Sequence, residues 1–262
     1  VSLNYAVRRS QDVVCVTRIY EKPVLNSPIL IEGLPGIGFV ANIAALHLIQ
    51  GLKAKMFGEI RSSSFQDFAT STKNGKARFP ISELHYHKGR GEERDLIILY
   101  GNTQALTAPG QYELCGRVLD IAEELGCRQI ITLGGLKHQK KVEIPGVYCA
   151  ASDPESLREA LNLGAKVVHG HIFGVAGLLL GLGKLRSMSG FCLLAETPGL
   201  YPDATAAREV LKVVCKMLRL RLDLSKLNTA AEATRNILES FGLGSLPTEE
   251  KTREKSRSRW LI

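Results

Sequence analysis

The sequence predicts an α/β fold of three layers, α/β/α, in which helices cover both faces of a largely parallel central sheet. Three observations carry that reading. Short apolar, β-branched runs alternate with helix-length amphipathic stretches as far as residue 220, the pattern of repeated strand–helix–strand units. Several runs stop at glycine-containing turns, at 33–38, 101–104, 134–135 and 197–199. The stretch Pro28–Gly51 (PILIEGLPGIGFVANIAALHLIQG) reads as one complete strand, glycine turn and helix.

Taken in order, Val13–Tyr20 (VVCVTRIY) is a partly alternating strand stopped by Glu21-Lys22-Pro23. In the next unit, Ile29–Ile31 form a strand, Gly33–Gly38 the turn, and Phe39–Gln50 an apolar helix capped by Gly51. Lys55–Arg61 (KMFGEIR) is the following strand and completes a right-handed βαβ unit. Residues 62–79 are polar and irregular, with a tight turn at Lys73-Asn74-Gly75-Lys76. Ser82–His87 alternates and forms a hairpin with Asp95–Tyr100, whose apolar run enters the sheet centre. After Pro109-Gly110, apolar residues at 114, 115, 118, 121, 122 and 125 make Gln111–Leu125 a core-facing helix.

Arg128–Leu133 is a buried strand ending in Gly134-Gly135, and Val147–Ala151 is another. Asp153 caps a helix that Pro154 opens and that runs to Leu163. Lys166–Val168 is a short strand, Phe173–Gly183 an apolar glycine-rich helix, and Gly190–Glu196 the final central strand. Ala204–Leu220 and Thr229–Phe241 are amphipathic helices, the second with Thr229 and Glu232 at capping-box spacing. From Gly244 onward the core pattern stops. Residues 1–243 are thus one α/β/α domain, with its C-terminal helix at about 229–241, and 244–262 a flexible charged tail.

Bulk properties narrow the function classes. A formal charge of +8 on 262 residues is mildly basic, and part of the excess sits in the tail. No basic face with interleaved aromatics points to nucleic acid. The six cysteines are scattered, several inside apolar runs such as VYCAA and FCLLA, as reduced packed thiols are. The longest uncharged apolar run, Ile172–Gly183, is shorter than the roughly 20 residues that span a bilayer. The expectation is a cytoplasmic protein with no membrane partner.

Four features could carry chemistry. Gly36-Ile37-Gly38-Phe39-Val40-Ala41 matches G-x-G-x-x-A, with Glu59 placed where a ribose-binding acid would stand; the same glycines also suit tight helix–sheet packing. The helix that follows has only Asn42, His47 and Gln50 as polar residues, so a neighbouring element or another subunit must cover it. The loops after the parallel strands, with Gly36, Gly38, Asn102, Thr103, Gly134, Gly135 and Thr197, outline a small crevice at the strand carboxyl ends. That crevice has no nucleophile–base pair; Glu196 and Lys137 would act together only if the fold joined them. The pairs His85/His87 and His169/His171 have strand spacing suited to a metal, without a third ligand beside them, so no metal and no cofactor is expected.

The tail, Thr248–Arg259 (TEEKTREKSRSR), leads to Trp260-Leu261-Ile262. An apolar triplet on a solvated tether suits docking in a partner's pocket, with the terminal carboxylate as an anchor.

Three blocks together resemble the proteasome assembly chaperone family in its archaeal form: ILIEGLPGIGFVANIAALHLI, the LGG within Thr132–Leu136, and GVAGLLLGLGKLRSMSGFCLLAETPGLYPDATAA. The similarity spans about residues 1–243, and the ETPG-x-x-PD block at Glu196–Asp203 is the more specific part. The resemblance implies a nucleoside-phosphorylase-like α/β/α fold without known catalysis. It also implies an ATP-independent, homo-oligomeric or paralogue-paired chaperone that binds proteasome core-particle α subunits and promotes α-ring assembly. In that system a C-terminal hydrophobic–tyrosine–any-residue motif inserts between α subunits; here Trp260 and Ile262 match its outer places and Leu261 replaces the tyrosine. The alternative from the residues themselves is a small-ligand or nucleotide-binding enzyme using the strand-end crevice.

Overall fold

In the computed structural model, residues 14–71, 74–139, 142–200 and 202–227 are described. Thirteen residues at the start and the segment from 228 onward lie outside them. The Thr229–Phe241 helix and the tail triplet Trp260-Leu261-Ile262 are therefore not described.

The strands and helices follow the alternation of the sequence. First come β1 (Cys15–Ile19), β2 (Ile29–Gly33), a 3-10 turn at Ile37–Phe39 and α1 (Val40–Leu52). Next are β3 (Lys55–Ser62), a small hairpin of β4 (Thr70–Ser71) and β5 (Ala77–Arg78), β6 (Ser82–His87) and β7 (Leu96–Gly101). Then follow α2 (Ala108–Glu124), β8 (Gln129–Lys137), β9 (Val147–Ala151) and α3 (Pro154–Asn162). The last elements are β10 (Lys166–Val167), α4 (Val175–Leu185), β11 (Ser189–Thr197), α5 (Ala204–Leu218) and a 3-10 turn at Ser225–Leu227.

Nine strands form one sheet in the order β1-β3-β6-β7-β2-β8-β11-β9-β10. Its centre, β7-β2-β8-β11, is wholly parallel, while β1, β3 and β6 join it antiparallel on one side and β9 on the other. The three-layer α/β prediction holds, with the parallel part confined to the core strands. Apolar residues on both faces of β2, β7 and β8 explain why these strands read as continuous apolar runs. One face packs on α1 and α5, with Ile29, Ile31, Ala44, Leu48, Phe191 and Val210 all buried. The other packs on α2 and α4, with Leu30, Ile97, Leu99, Leu114, Val118 and Leu179.

Several local expectations change. Strand β3 runs in the same direction as β2, but β7 and β6 stand between them, so the two do not form an adjacent pair. Helix α1 continues past Gly51 and ends at Lys53 in the left-handed conformation, φ 51°. Gly51 instead gives room to Leu222, whose Cδ2 would lie 2.8 Å from a Cβ there. Helix α2 begins earlier than expected, with Thr107 as N-cap accepting from the Gly110 N–H and Pro109 inside the first turn. Gly134 and Gly135 do not end a strand; β8 runs through them to Lys137, paired with β11.

The apolar helix α1 is covered within the chain. Helix α5 lies against it, and the segment after α5 brings Leu220 and Leu227 into the same core, with Leu222 and Leu224 half-buried beside them. His47 Nε2 and the Asp223 carbonyl oxygen, 2.9 Å apart, tie that segment to the helix. Among the described residues, no helix is long and apolar enough to cross a membrane.

Candidate functional site

The turn at Gly33–Gly38 is shaped by close packing. Gly33 ends β2 beneath α1: a Cβ there would lie 2.2 Å from Ala45 Cβ and 2.8 Å from the Ala41 carbonyl oxygen. Only glycine lets the helix sit this near the strand. Gly38 adopts φ 63°, and a Cβ on it would lie 2.7 Å from Thr197 Oγ1. Gly36 is different. It is extended, and nothing lies within 4 Å of the position its Cβ would take.

Several amides that a bound phosphate would use are already engaged. The Leu34 N–H donates to Glu32 Oε1 at 2.8 Å, the Phe39 N–H to the Gly36 carbonyl at 3.0 Å, and the Val40 N–H to the Ile37 carbonyl. Pro35 has none to offer. Glu59, the acid expected near a ribose, lies on β3, with β6 and β7 between it and the turn. Its Oε1 accepts from Arg61 Nε at 2.9 Å. The dinucleotide arrangement is not assembled, and Gly33 and Gly38 serve packing.

What the strand ends do enclose is a cleft of about 510 Å³. It lies between the carboxyl ends of β2, β8 and β11 and the first turns of α2 and α4. Of the residues expected there, Gly36, Gly134 and Gly135 line it. The other four are not among the residues that line it. Gly38 and Thr197 pack together, and the Thr197 hydroxyl donates to Asp203 Oδ2 at 2.7 Å. Asn102 Oδ1 accepts the Ile81 N–H at 2.9 Å, and the Thr103 hydroxyl is bonded to Gln66 Oε1. Gln104 bridges two walls: its Nε2 donates to the Pro35 carbonyl and its Oε1 accepts the Val175 N–H at the start of α4.

The residue that sequence reasoning missed is Glu32. It is the one acid among the residues lining the cleft and is 1 % exposed. Oε1 accepts from Leu34, while Oε2 is buried without a hydrogen-bond partner. Burial pushes this carboxyl up to about 8, and the Leu34 and Leu133 backbone N–H groups pull only part of the way back. Its cross-strand neighbours are Leu99 and Thr132, and Thr132 is fully buried as well. The available signal was a single acid inside an apolar strand, ILIEG, where alternation aims it at the helix-covered face. A buried, neutral carboxyl at the floor of a cleft is a hydrogen-bond donor at neutral pH.

The other candidates resolve into structural pairs. Glu196 and Lys137 sit on neighbouring strands, but Glu196 accepts from the Gly146 N–H and the Tyr148 hydroxyl, each at 2.9 Å. The Gly146 N–H above all holds its carboxyl below the usual range. His85 Nε2 lies 2.9 Å from Glu83 Oε2, and His171 stacks on Phe173 with ring centroids 5.8 Å apart. Among the described residues no three His, Cys, Asp or Glu side chains are placed to hold a metal ion. Burial pushes the Cys115 and Cys192 thiols up to about 12, which makes them inert packing groups.

Comparison with known proteins gives a consistent result. The family model described as "PAC2 family" matches residues 30–252. An uncharacterized protein of Methanocaldococcus jannaschii is 33 % identical over 219 residues, covering 83 % of this chain and 84 % of its own. The crystal structure of Pyrococcus furiosus PbaB, an archaeal proteasome activator, is 39 % identical with a TM-score of 0.79, over 86 % of this chain and 98 % of that one. Pyrococcus furiosus PbaA, an archaeal homolog of proteasome-assembly chaperone, is 25 % identical with a TM-score of 0.71, over 94 % and 100 % of the two chains.

Proposed function

The chain belongs to the PAC2 family, and on that premise we propose that it works in proteasome assembly or activation as a binding protein without a chemical step of its own. The observation that carries this reading is the likeness to PbaB, at 39 % identity and a TM-score of 0.79. In finer detail, the protein is an ATP-independent, cytoplasmic chaperone that binds core-particle α subunits, alone or with a paralogue in an oligomer. The apolar face of α1 is not its assembly surface, because α5 and residues 220–227 cover that face. The tail triplet Trp260-Leu261-Ile262 docks between α subunits, its two outer places matching the hydrophobic–tyrosine–any-residue motif. Leu261 lacks the tyrosine hydroxyl, so the apolar burial persists while one orienting hydrogen bond is lost.

The test is capture of purified α subunits by the full chain, by the chain lacking Trp260–Ile262, and by Leu261→Tyr. Binding by the full chain, weakened several-fold by the deletion and strengthened by Leu261→Tyr, is the expected result. Equal capture by all three sinks the tail reading. No capture by any of them sinks the proteasome reading itself.

A further inference from the structure

The cleft at the strand carboxyl ends is not accounted for by a role in protein binding. At about 510 Å³ the cleft falls within the size range of small-molecule sites. Its walls are mostly apolar: Leu34, Leu133, Leu136, Ile172 and Leu194 all contribute. Its polar framework is largely spent, since Gln104 holds Pro35 and Val175 and Gln111 Nε2 donates to the Ala105 carbonyl at 3.2 Å. Two basic groups, Lys137 and His171, border it, and both are exposed. At the floor lies Glu32, buried, with Oε2 unpartnered. An unsatisfied polar atom of this kind costs about 1–3 kcal/mol unless something supplies its partner.

We infer that this cleft binds a small, largely apolar molecule that presents a neutral acceptor atom to Glu32 at its inner end and a carboxylate to the Lys137 side at its outer end. Each part of the ligand follows from a wall of the site. The protonated Glu32 carboxyl has one hydrogen to give, so the inner group is a carbonyl oxygen or an unprotonated ring nitrogen. A cationic amine is disfavoured by Lys137, and the cleft has no second acid to receive it. The groups beside Glu32 add no charge: Cys115 on α2 and Cys192 on β11 are protonated thiols, and its cross-strand neighbour Thr132 on β8 carries a neutral hydroxyl.

Isonicotinate has this arrangement, with a ring nitrogen opposite a carboxylate. Benzoate lacks the acceptor and isonicotinamide lacks the charge. The experiment titrates each of the three into the full-length protein at pH 6 and follows the backbone amides of Gly36, Gly134 and Gly135 by NMR. The inference expects isonicotinate to bind at least tenfold more tightly than either control, because a site built to donate a hydrogen bond rejects an analogue without the acceptor. Glu32→Leu should remove the preference over benzoate. It leaves the Leu34 N–H without its acceptor but also deletes a buried carboxyl, and an unchanged amide spectrum away from the cleft checks that the protein stays folded. Glu32→Gln keeps a donor and should retain the preference, but lose the weakening of isonicotinate binding that the native protein shows between pH 6 and pH 9. Equal binding of isonicotinate and benzoate, an unchanged preference in Glu32→Leu, or no shift of the three amides with any probe overturns the inference.

Discussion

At the scale of single residues, the least ordinary group is Glu32, a carboxyl without full compensation in the middle of a parallel sheet. Its folded value of about 8 lies above the ordinary 4.5, so between those limits the folded state keeps a proton that the unfolded chain has released. Stability therefore falls as pH rises through that window, at up to about 1.4 kcal/mol per pH unit. Urea unfolding at pH 5 and pH 8 should show this slope in the native protein and its loss in Glu32→Gln; equal slopes in the two proteins would refute it. The turn glycines separate by the same kind of reasoning. Gly33→Ala forces a Cβ to within 2.2 Å of Ala45 and should cost about 1–3 kcal/mol or more. Gly36→Ala meets open space and should cost less than about 0.5 kcal/mol, a contrast that thermal melting resolves. The buried thiols give a third check. Iodoacetamide at pH 8 should leave Cys115 and Cys192 unmodified in the native protein and label both in urea.

At the scale of elements, the helix caps decide how the site is framed. Asp203 caps α5 through Oδ1, accepting the Ala206 N–H at 3.0 Å, and accepts the Thr197 hydroxyl on Oδ2 at 2.7 Å. Its own N–H donates to the Gly38 carbonyl at 2.8 Å. One residue thus joins the end of β11, the glycine turn and the start of α5, which gives a physical reason for the ETPG-x-x-PD block. Asp203→Ala should destabilise the protein by about 1–3 kcal/mol, from the lost cap and the hydroxyl left without its acceptor. Asp203→Asn keeps an oxygen for the cap and should cost less by the same denaturation measurement. The cap of α3 was legible beforehand: Asp153 Oδ1 accepts the Ser156 N–H at 2.8 Å, and Pro154 stands at the first helical position. The start of α2 was not. Pro109 reads as a break, yet it is tolerated in a first turn, whose N–H groups have no intrahelical partner.

For the whole molecule, two surfaces with separate tasks are expected, a C-terminal tail for a protein partner and a strand-end cleft for a small ligand. Deleting Trp260–Ile262 should reduce α-subunit capture and leave Glu32-dependent ligand binding unchanged; Glu32→Leu should do the reverse. Loss of both by either change would show one coupled surface. The sequence by itself determined the α/β class, the alternation of the main strands and helices and the family resemblance. These depend on periodicity, caps and short blocks, which are local along the chain. Only the tertiary structure decided that β7 and β6 separate β3 from β2, that α5 and residues 220–227 cover α1, and that Glu59 stays away from the glycine turn. It also turned Glu32 from an unremarked acid in an apolar run into the floor of a cleft. Strand order and the cover over a helix depend on contacts between segments far apart in sequence, and burial of a charge depends on everything around it. Neither is written in the neighbours along the chain.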